Sequence, residues 1–291
     1  MTTYGLAGAF YFFCGNLQQR CLNTADSCTN SKSANRGFTL SSVIFPGGHT
    51  ATGIFYEVNM DFSQRTKMVV GESPFEKVTG KKICIVGVGG VGGAALEGLV
   101  RFGMKNITIF DFDTVDITNL NRQIISTRDV VGMPKTQVAE NRAKSINPDI
   151  NIKTVDIFIE KDNLHLIKEE KPDYVIDAID SVKAKLDLIE FCHRENIPVI
   201  SSMGTGNRLN CTGFVIDKVE KTAGNGCGLS KVMRQELKKR GITGHTSLFN
   251  TRPPESKAVN SANGRNAPGS CPFAPNVAGL MVAQYVVSQL L

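Results

Sequence analysis

ICIVGVGGVGGAALEGLV, residues 83 to 100, is the stretch of sequence that decides the fold. Its first part is a short apolar run rich in β-branched residues, which is typical of a buried strand. A glycine turn and a helix of small residues follow. Because the backbone N–H groups of such a turn can receive a phosphate, we predict a nucleotide site at Gly87, Gly89, Gly90 and Gly92. The glycines leave three readings open: a dinucleotide for hydride transfer, the triphosphate of ATP, or a turn that only allows tight packing.

Strands and helices alternate after this turn. The predicted strands are KICIVGV, NITIFDF, INIKTVDIF, PDYVIDAI and IPVISSMG, starting at residues 82, 106, 150, 172 and 197. The predicted helices cover 91 to 103, 134 to 147 and 181 to 196. This alternation predicts an α/β fold with a doubly wound, mostly parallel, Rossmann-like sheet. Beyond residue 204, strand-like stretches flank a basic helix, and we expect antiparallel C-terminal strands there.

The first 59 residues differ from the rest of the chain. They mix Ser, Thr, Asn and Gly without a sustained period, so we predict a poorly structured extension over 1–59 and a nucleotide-binding domain over 60–291. We predict no export signal from the first apolar run of the chain and no membrane span from the second. The run at 4–17 has no preceding Lys or Arg, and the run at 277–291 is shorter than the ~20 residues that span a bilayer.

Charge and cysteine content give weaker indications. The chain has 33 Lys+Arg against 27 Asp+Glu, a formal charge of +6, which weakly favours a polyanionic partner. Its 8 cysteines form no C-x-x-C pair, so a zinc site is not expected. Cys84 and Cys192 lie in a predicted strand and helix, where cysteine behaves as a small hydrophobe. We therefore expect a reducing cytoplasmic location without disulfides.

Polar residues after the second strand bear on the choice between hydride and phosphate chemistry. Asp111 ends that strand, at about the distance expected for a carboxylate that binds a ribose hydroxyl, which by itself favours an NAD enzyme. Arg122 and Lys135 follow on the loop and helix start above the turn. Two cations suit a polyphosphate, whereas hydride transfer needs neither. Asp180, near the end of another strand, can hold Mg²⁺ against the same phosphates.

Each of these residues also has a structural interpretation. Arg122 could anchor its loop to Asp113 or Asp116, and Lys135 could be a solvated helix residue.

Five motifs occur along the chain in the order GVGGVGG, DFDTVDITNLNRQ, VGMPK, SINP and DAIDS. Through these motifs the chain resembles the adenylating family of ubiquitin-activating enzymes, MoeB and ThiF. The resemblance covers about residues 60 to 209. It implies a ThiF-type domain that binds ATP, with Asp180 as the magnesium carboxylate. The implied ATP contacts are Gly89, Asp111, Asn119, Arg122, Gln123 and Lys135.

Arg65, in FSQRT, matches the arginine that one subunit of this family contributes to the other. The resemblance therefore implies a homodimer with shared sites. An ordinary solvated arginine is the alternative.

The C-terminal part resembles one branch of the family, the tRNA threonylcarbamoyladenosine dehydratases. The similar segments are SSMGTGNRLN, KVMRQELKKRGI and APGSCPFAPNVAGLMVAQYVV. The resemblance implies ATP-dependent ring closure on the modified adenosine of tRNA through an acyl-adenylate. One alternative is an activator of a ubiquitin-like sulfur carrier, with a sulfur-transfer partner. Another is an NAD-binding dehydrogenase or a nucleotide-sensing module.

The basic helix is a candidate RNA-binding surface. Its cations are Lys231, Arg234, Lys238, Lys239 and Arg240. Such a strip suits RNA phosphates, although a solvated helix face is an equal reading of the composition alone.

Cys211, Cys227 and Cys271 are candidate acyl or sulfur acceptors. Cys227, in a glycine-rich loop, is the first choice, and an inert thiol is the more common case.

Overall fold

The structure is a computed structural model that describes residues 62–256 and 268–291 in full. Outside these ranges it describes only the backbone of four strands: β1 (Phe38–Ile44), β2 (Thr50–Tyr56), β10 (Val259–Asn260) and β11 (Asn266–Ala267). The chain divides into two units, 1–62 and 63–291. In the first unit β1 and β2 pair antiparallel, with Phe38 opposite Tyr56. The rest of the predicted extension lies outside the described residues, so its lack of structure stays a prediction.

The second unit is built on a seven-stranded sheet in the order β5-β4-β3-β6-β7-β9-β8. The strands are β3 (Lys82–Val86), β4 (Asn106–Asp111), β5 (Asn151–Asp156), β6 (Tyr174–Asp177), β7 (Val199–Ser202), β8 (Phe214–Lys218) and β9 (Thr246–Asn250). All neighbours pair parallel except β8 and β9, which are antiparallel. The predicted doubly wound, mostly parallel fold with an antiparallel C-terminal part is therefore confirmed.

Eight α-helices of the described part pack around the strands or precede them. They are α1 (Gln64–Val70), α2 (Glu72–Thr79), α3 (Gly90–Phe102), α4 (Lys135–Ile146), α5 (His165–Glu169), α6 (Val182–Arg194), α7 (Gly228–Lys239) and α8 (Phe273–Leu290). Gly71 separates α1 from α2 with a φ of +89°, a value that favours glycine. Pro134 lies at the start of α4, where its missing N–H costs nothing. None of the helices in the described part is long and apolar enough to cross a membrane.

The central strands are buried on both faces, as helices on both sides of a parallel sheet require. One face packs Ile83, Ile85 and Ile109 against α3 and α8, and the other packs Val86 and Phe110 against the opposite helix layer. This double burial explains why the strands appear in the sequence as continuous apolar runs.

The order of the strands also places the site. From β3 the chain moves outward to β4 and β5 and then returns to β6 on the other side of β3. Ligands of open α/β sheets bind at the carboxyl ends of the strands where the order reverses. The reversal here lies between β3 and β6.

Candidate nucleotide site

A cavity of about 320 Å³ opens at the carboxyl ends of β3, β4 and β6. This volume is at the lower end of the range found for small-molecule sites. The walls come from the glycine turn, the ends of β4 and β5, the loop before α4, the segment after β6, and three residues from later in the chain. Those three are Thr205, Ser270 and Pro275.

Two positions of the glycine turn accept no residue other than glycine. Gly87 has a φ of +89°, and a Cβ there would lie 3.0 Å from the carbonyl oxygen of Ala178. A Cβ on Gly92 would lie 1.8 Å from the carbonyl oxygen of Gly87, closer than atoms can approach. Gly89 is the N-cap of α3 and has no side chain that could cap the first N–H groups of that helix, and no such cap is found among the described residues. These N–H groups and the helix dipole make the start of α3 suitable for a phosphate.

Asp111 holds the turn in place. Its two carboxylate oxygens accept hydrogen bonds from the backbone N–H of Val88 at 2.7 Å and of Asp113 at 2.9 Å. The residue lines the cavity but is only 8% exposed. The structure thus gives Asp111 a positioning role, and its contact with a ribose stays a prediction.

Asn119 and Gln123 lie in the loop that follows. The Asn119 side chain accepts a hydrogen bond from the backbone N–H of Asp116 at 3.2 Å, closing a reciprocal cap with that residue. Gln123 is buried, and its Nε2 lies 3.8 Å from the position a Cβ would take on Gly89. Both residues line the cavity and both have structural partners, so their contacts with ATP stay predictions.

Arg122 lines the cavity and forms no ion pair among the described residues. Its Nη1 donates to the carbonyl oxygen of Thr118 at 2.9 Å and to the Asn121 side chain at 3.0 Å. The side chain is therefore positioned by neutral groups and is not anchored by a hydrogen bond to Asp113 or Asp116. Its positive charge adds to the lowering of the Asp116 pKa, which is due mainly to hydrogen bonds from Thr118.

Lys135 opens α4 and is only 6% exposed, so the reading as a solvated helix residue is wrong. Its Nζ lies 2.7 Å from Oδ2 of Asp113, and both residues line the cavity. A triphosphate entering the cavity would compete with Asp113 for this ammonium group.

Asp180 lies three residues beyond the end of β6, on the wall of the cavity. Its carboxylate is exposed and makes no hydrogen bond or ion pair within the described residues. The structure therefore brings Arg122, Lys135 and Asp180 to one cavity. An exposed carboxylate without a protein partner is the kind of oxygen ligand that Mg²⁺ takes together with nucleotide phosphates.

The segment that carries Asp180 rests on a buried network that the sequence did not predict. Asp177, the last residue of β6, accepts a hydrogen bond from the backbone N–H of Ile179 at 3.1 Å. Its other oxygen lies 2.8 Å from Nζ of Lys185 and 2.6 Å from Oγ of Ser201. This network fixes the direction in which the chain leaves the strand, and so the position of Asp180.

Other residues at the cavity were also missed. Phe112 and Phe158 pack edge to face at its mouth, with ring centroids 4.8 Å apart, although both are largely exposed. Asn276, in α8, donates to the carbonyl oxygen of Arg122 at 3.1 Å. The only sequence signal for Asn276 is its place in the C-terminal segment of the resemblance, because its partner is 154 residues away.

Arg65 does not line the cavity of its own chain. It lies on α1 with an exposed side chain.

The predicted RNA-binding cations lie on or directly after α7, but they differ in their surroundings. Lys231, Lys238 and Lys239 are exposed. Arg234 is half-buried and donates to Thr222 at 2.8 Å. Arg240 is paired with Asp187 and Glu190 of α6, so part of its charge is already compensated.

Residues 63–291 match the model of the ThiF family. A tRNA threonylcarbamoyladenosine dehydratase of Bacillus subtilis is 34% identical over 239 residues, covering 78% of this chain and 93% of that protein. The Escherichia coli enzyme of the same name is 39% identical over 173 residues, 60% of this chain and 64% of the relative.

Solved structures of a dehydratase of the same name are similar to this chain in fold. The crystal structure of the E. coli dehydratase in complex with AMP has a TM-score of 0.71 and 32% identity, covering 78% of this chain and 92% of that one. The same enzyme in complex with ATP has a TM-score of 0.69, 31% identity and the same coverage. Because the family model spans the whole sheet and the cavity, this chain belongs to the ThiF family.

Proposed function

We propose that this chain is an ATP-dependent tRNA threonylcarbamoyladenosine dehydratase. The observation that carries the proposal is the cavity itself, where the start of α3 meets an arginine and a carboxylate that have no ion-pair partner within the described residues. Relatives that bear this name cover most of the chain, and one of them was solved with ATP and with AMP.

The chemistry begins at the substrate's carboxylate, which is a poor electrophile until it acquires a leaving group. One carboxylate oxygen attacks the α-phosphorus of ATP, and pyrophosphate leaves. The carbamoyl group then attacks the acyl carbon, AMP leaves, and a proton is lost as the ring closes. The net change in the nucleoside is the loss of one water. Since the second attack is intramolecular, no enzyme nucleophile is needed.

The protein contributes positioning and charge. The N–H groups at the start of α3 face the phosphates, and Arg122 supplies a cation that forms no ion pair with the described residues. Lys135 moves from Asp113 to the phosphates on binding. Mg²⁺, when bound, would neutralise phosphate oxygens, and Asp180 is the residue that would hold it. The aromatic pair Phe112 and Phe158 gives the adenine ring an apolar surface.

We propose a cytoplasmic homodimer in which Arg65 of each subunit completes the cavity of the other. The exposed lysines of α7 would bind phosphates of the tRNA. A sulfur-transfer partner and an acceptor role for Cys227 belong to the alternative, activation of a ubiquitin-like carrier.

The decisive experiment supplies ATP, Mg²⁺ and tRNA that carries threonylcarbamoyladenosine. Digestion and mass spectrometry should show a nucleoside lighter by one water, together with AMP and pyrophosphate. Asp180→Asn and tRNA without the modification are the controls, and neither should give the product. Pyrophosphate exchange that responds to a ubiquitin-like protein and not to the modified tRNA would favour the carrier activator instead.

A further inference from the structure

Arg208 is a buried cation, and one edge of its guanidinium group has no hydrogen-bond acceptor among the described residues. The residue is only 5% exposed, and its Nη1 donates to the carbonyl oxygen of Arg252 at 2.6 Å. Its Nε and Nη2 atoms are buried and have no hydrogen-bond partner within the described residues. A buried donor without an acceptor is unfavourable, and buried side-chain donors are usually satisfied. This guanidinium is therefore held in place on one side and unsatisfied on the other.

The two unsatisfied atoms belong to the same edge of the guanidinium. Nε–H and Nη2–H point in parallel, at the spacing of the two oxygens of a carboxylate or of two oxygens of a phosphate. A planar oxyanion would satisfy both donors at once. A neutral single acceptor would satisfy only one of them.

Arg208 does not itself line the nucleotide cavity, but it belongs to a loop that does. It is on the loop that follows β7, at the same edge of the sheet as the glycine turn, and Thr205 of this loop lines the cavity. The loop is bonded to the segment that carries Ser270, another lining residue. Asn207 donates through its backbone N–H to the carbonyl oxygen of Gly269 at 2.7 Å, and Sγ of Cys271 donates to the carbonyl oxygen of Arg208 at 3.1 Å.

The surroundings do not neutralise the guanidinium. Burial lowers the Arg208 pKa, and only Cys227 and Glu255 oppose that effect. The Glu255 carboxylate already accepts hydrogen bonds from the backbone N–H groups of Leu209 and Asn210. Cys227 lies at the start of α7, and its side chain does not cap that helix, so the positive end of the helix dipole adds to the field. The region favours an additional anion.

We propose that the Nε–Nη2 edge of Arg208 binds the carboxylate of the threonylcarbamoyl group and presents it to the α-phosphate of ATP. This inference rests on the proposed function. The cations at the glycine turn are needed for the triphosphate, and a second anion brought next to it requires a cation of its own. Adenylation converts the carboxylate into a neutral acyl group, so the interaction is lost as the intermediate forms. Because both donors are covered in this structure, binding requires the surrounding loops to move.

The test compares two tRNAs, one carrying threonylcarbamoyladenosine and one carrying plain adenosine at that position. Wild-type protein should bind the modified tRNA more tightly. Arg208→Leu should weaken binding of the modified tRNA about 10- to 100-fold, and leave unmodified tRNA and the KM for ATP unchanged. Arg252→Gln is the matched control, since it removes an exposed charge nearby and should affect neither comparison.

Stability separates this role from a structural one. Arg208→Leu removes two unsatisfied donors along with one hydrogen bond, so its Tm should stay within a few degrees of wild type or rise. If the leucine variant does not fold, Arg208→Lys carries the test. It keeps the charge without the two-donor edge, and should bind the modified tRNA about tenfold more weakly.

Four outcomes would overturn the inference. Equal weakening of both tRNAs by Arg208→Leu would show a contact with backbone phosphate. Wild-type affinity in both variants would show that the edge binds nothing. If wild-type protein binds both tRNAs equally and makes no product, both the inference and the proposed function fail. If product forms and Arg208→Leu behaves as wild type, only the inference fails.

Discussion

Nζ of Lys185 lies 2.8 Å from Oδ2 of Asp177, and both side chains are completely buried. Two charges taken out of water stabilise a protein only when each satisfies the other, and here Ser201 and the backbone N–H of Ile179 complete the carboxylate's partners. The pair lies directly beneath the segment that carries Asp180. Its integrity and the geometry of the cavity are therefore linked.

Lys185→Met should destabilise the protein by about 3–5 kcal/mol, because it leaves the Asp177 carboxylate buried without a counter-charge. Urea unfolding at neutral pH measures the change. The double variant Lys185→Met with Asp177→Leu should recover part of the loss, since no lone charge remains. A loss below about 1 kcal/mol in the single variant would mean that water reaches the site.

Arg122→Ala should reduce AMP formation about 100-fold or more, because it removes a cation aimed at the developing phosphate charge. The thermal midpoint should change little, as the side chain makes two hydrogen bonds at the rim within the part of the chain that the structure describes. Arg128→Ala is the matched control, since this exposed arginine does not line the cavity and its loss should leave the rate unchanged. Equal rates for the two variants would remove Arg122 from the mechanism.

Gly92→Ala should abolish ATP binding and cost on the order of 3–5 kcal/mol in stability. The added methyl carbon would lie 1.8 Å from the carbonyl oxygen of Gly87, so the turn must open. Gly228→Ala is the comparison, because nothing lies within 4 Å of the carbon it adds. Calorimetric titration with ATP and thermal unfolding should separate the two variants. Normal ATP affinity in Gly92→Ala would mean that the turn does not hold the phosphates.

The double variant Lys238→Gln with Lys239→Gln should weaken tRNA binding and make it less sensitive to salt. The slope of log affinity against log salt concentration should fall in magnitude by roughly 0.7–0.9 for each RNA phosphate that the variant no longer neutralises. Arg240→Gln should change the slope much less, because this arginine is less exposed and pairs with two carboxylates, those of Asp187 and Glu190, whereas Lys239 pairs with Glu236 alone among the described residues. Filter binding at several salt concentrations gives the slopes. An unchanged slope in the lysine variant would leave α7 as a solvated face.

The sequence predicted those features that one segment of chain determines by itself. Buried parallel strands are continuous apolar runs in the sequence. Arg122 and Lys135 are close in sequence to the end of β4 and the start of α4, which bring them to the cavity. It did not predict Thr205 or Ser270 as cavity residues, because only the folded sheet brings them to the glycine turn. Nor could it show that Lys135 is buried against Asp113, since the sequence does not reveal the burial of a lysine at a helix start.

Burial also makes the stability of this protein depend on pH through His245. Its Nε2 lies 2.8 Å from Oγ of Ser201, and burial lowers its pKa from 6.5 to about 3. Since Ser201 donates to Asp177, His245 Nε2 must be the donor in its own bond, which leaves Nδ1 as an acceptor for His193. The folded protein therefore holds His245 in its neutral form.

Between pH 6.5 and 3 the unfolded chain binds the proton at His245 and the folded chain does not, so stability falls as the pH falls through this window. From pH 7 to pH 5 this group alone should remove ~2 kcal/mol of unfolding free energy. In His245→Gln the pH dependence of urea unfolding should shrink by that amount, whereas His165→Gln, at an exposed position, serves as the control. If His245→Gln loses as much stability on acidification as the wild type, His245 is protonated without cost in the folded state. The donor and acceptor roles assigned to the hydrogen bonds from His193 to Asp177 would then be incorrect.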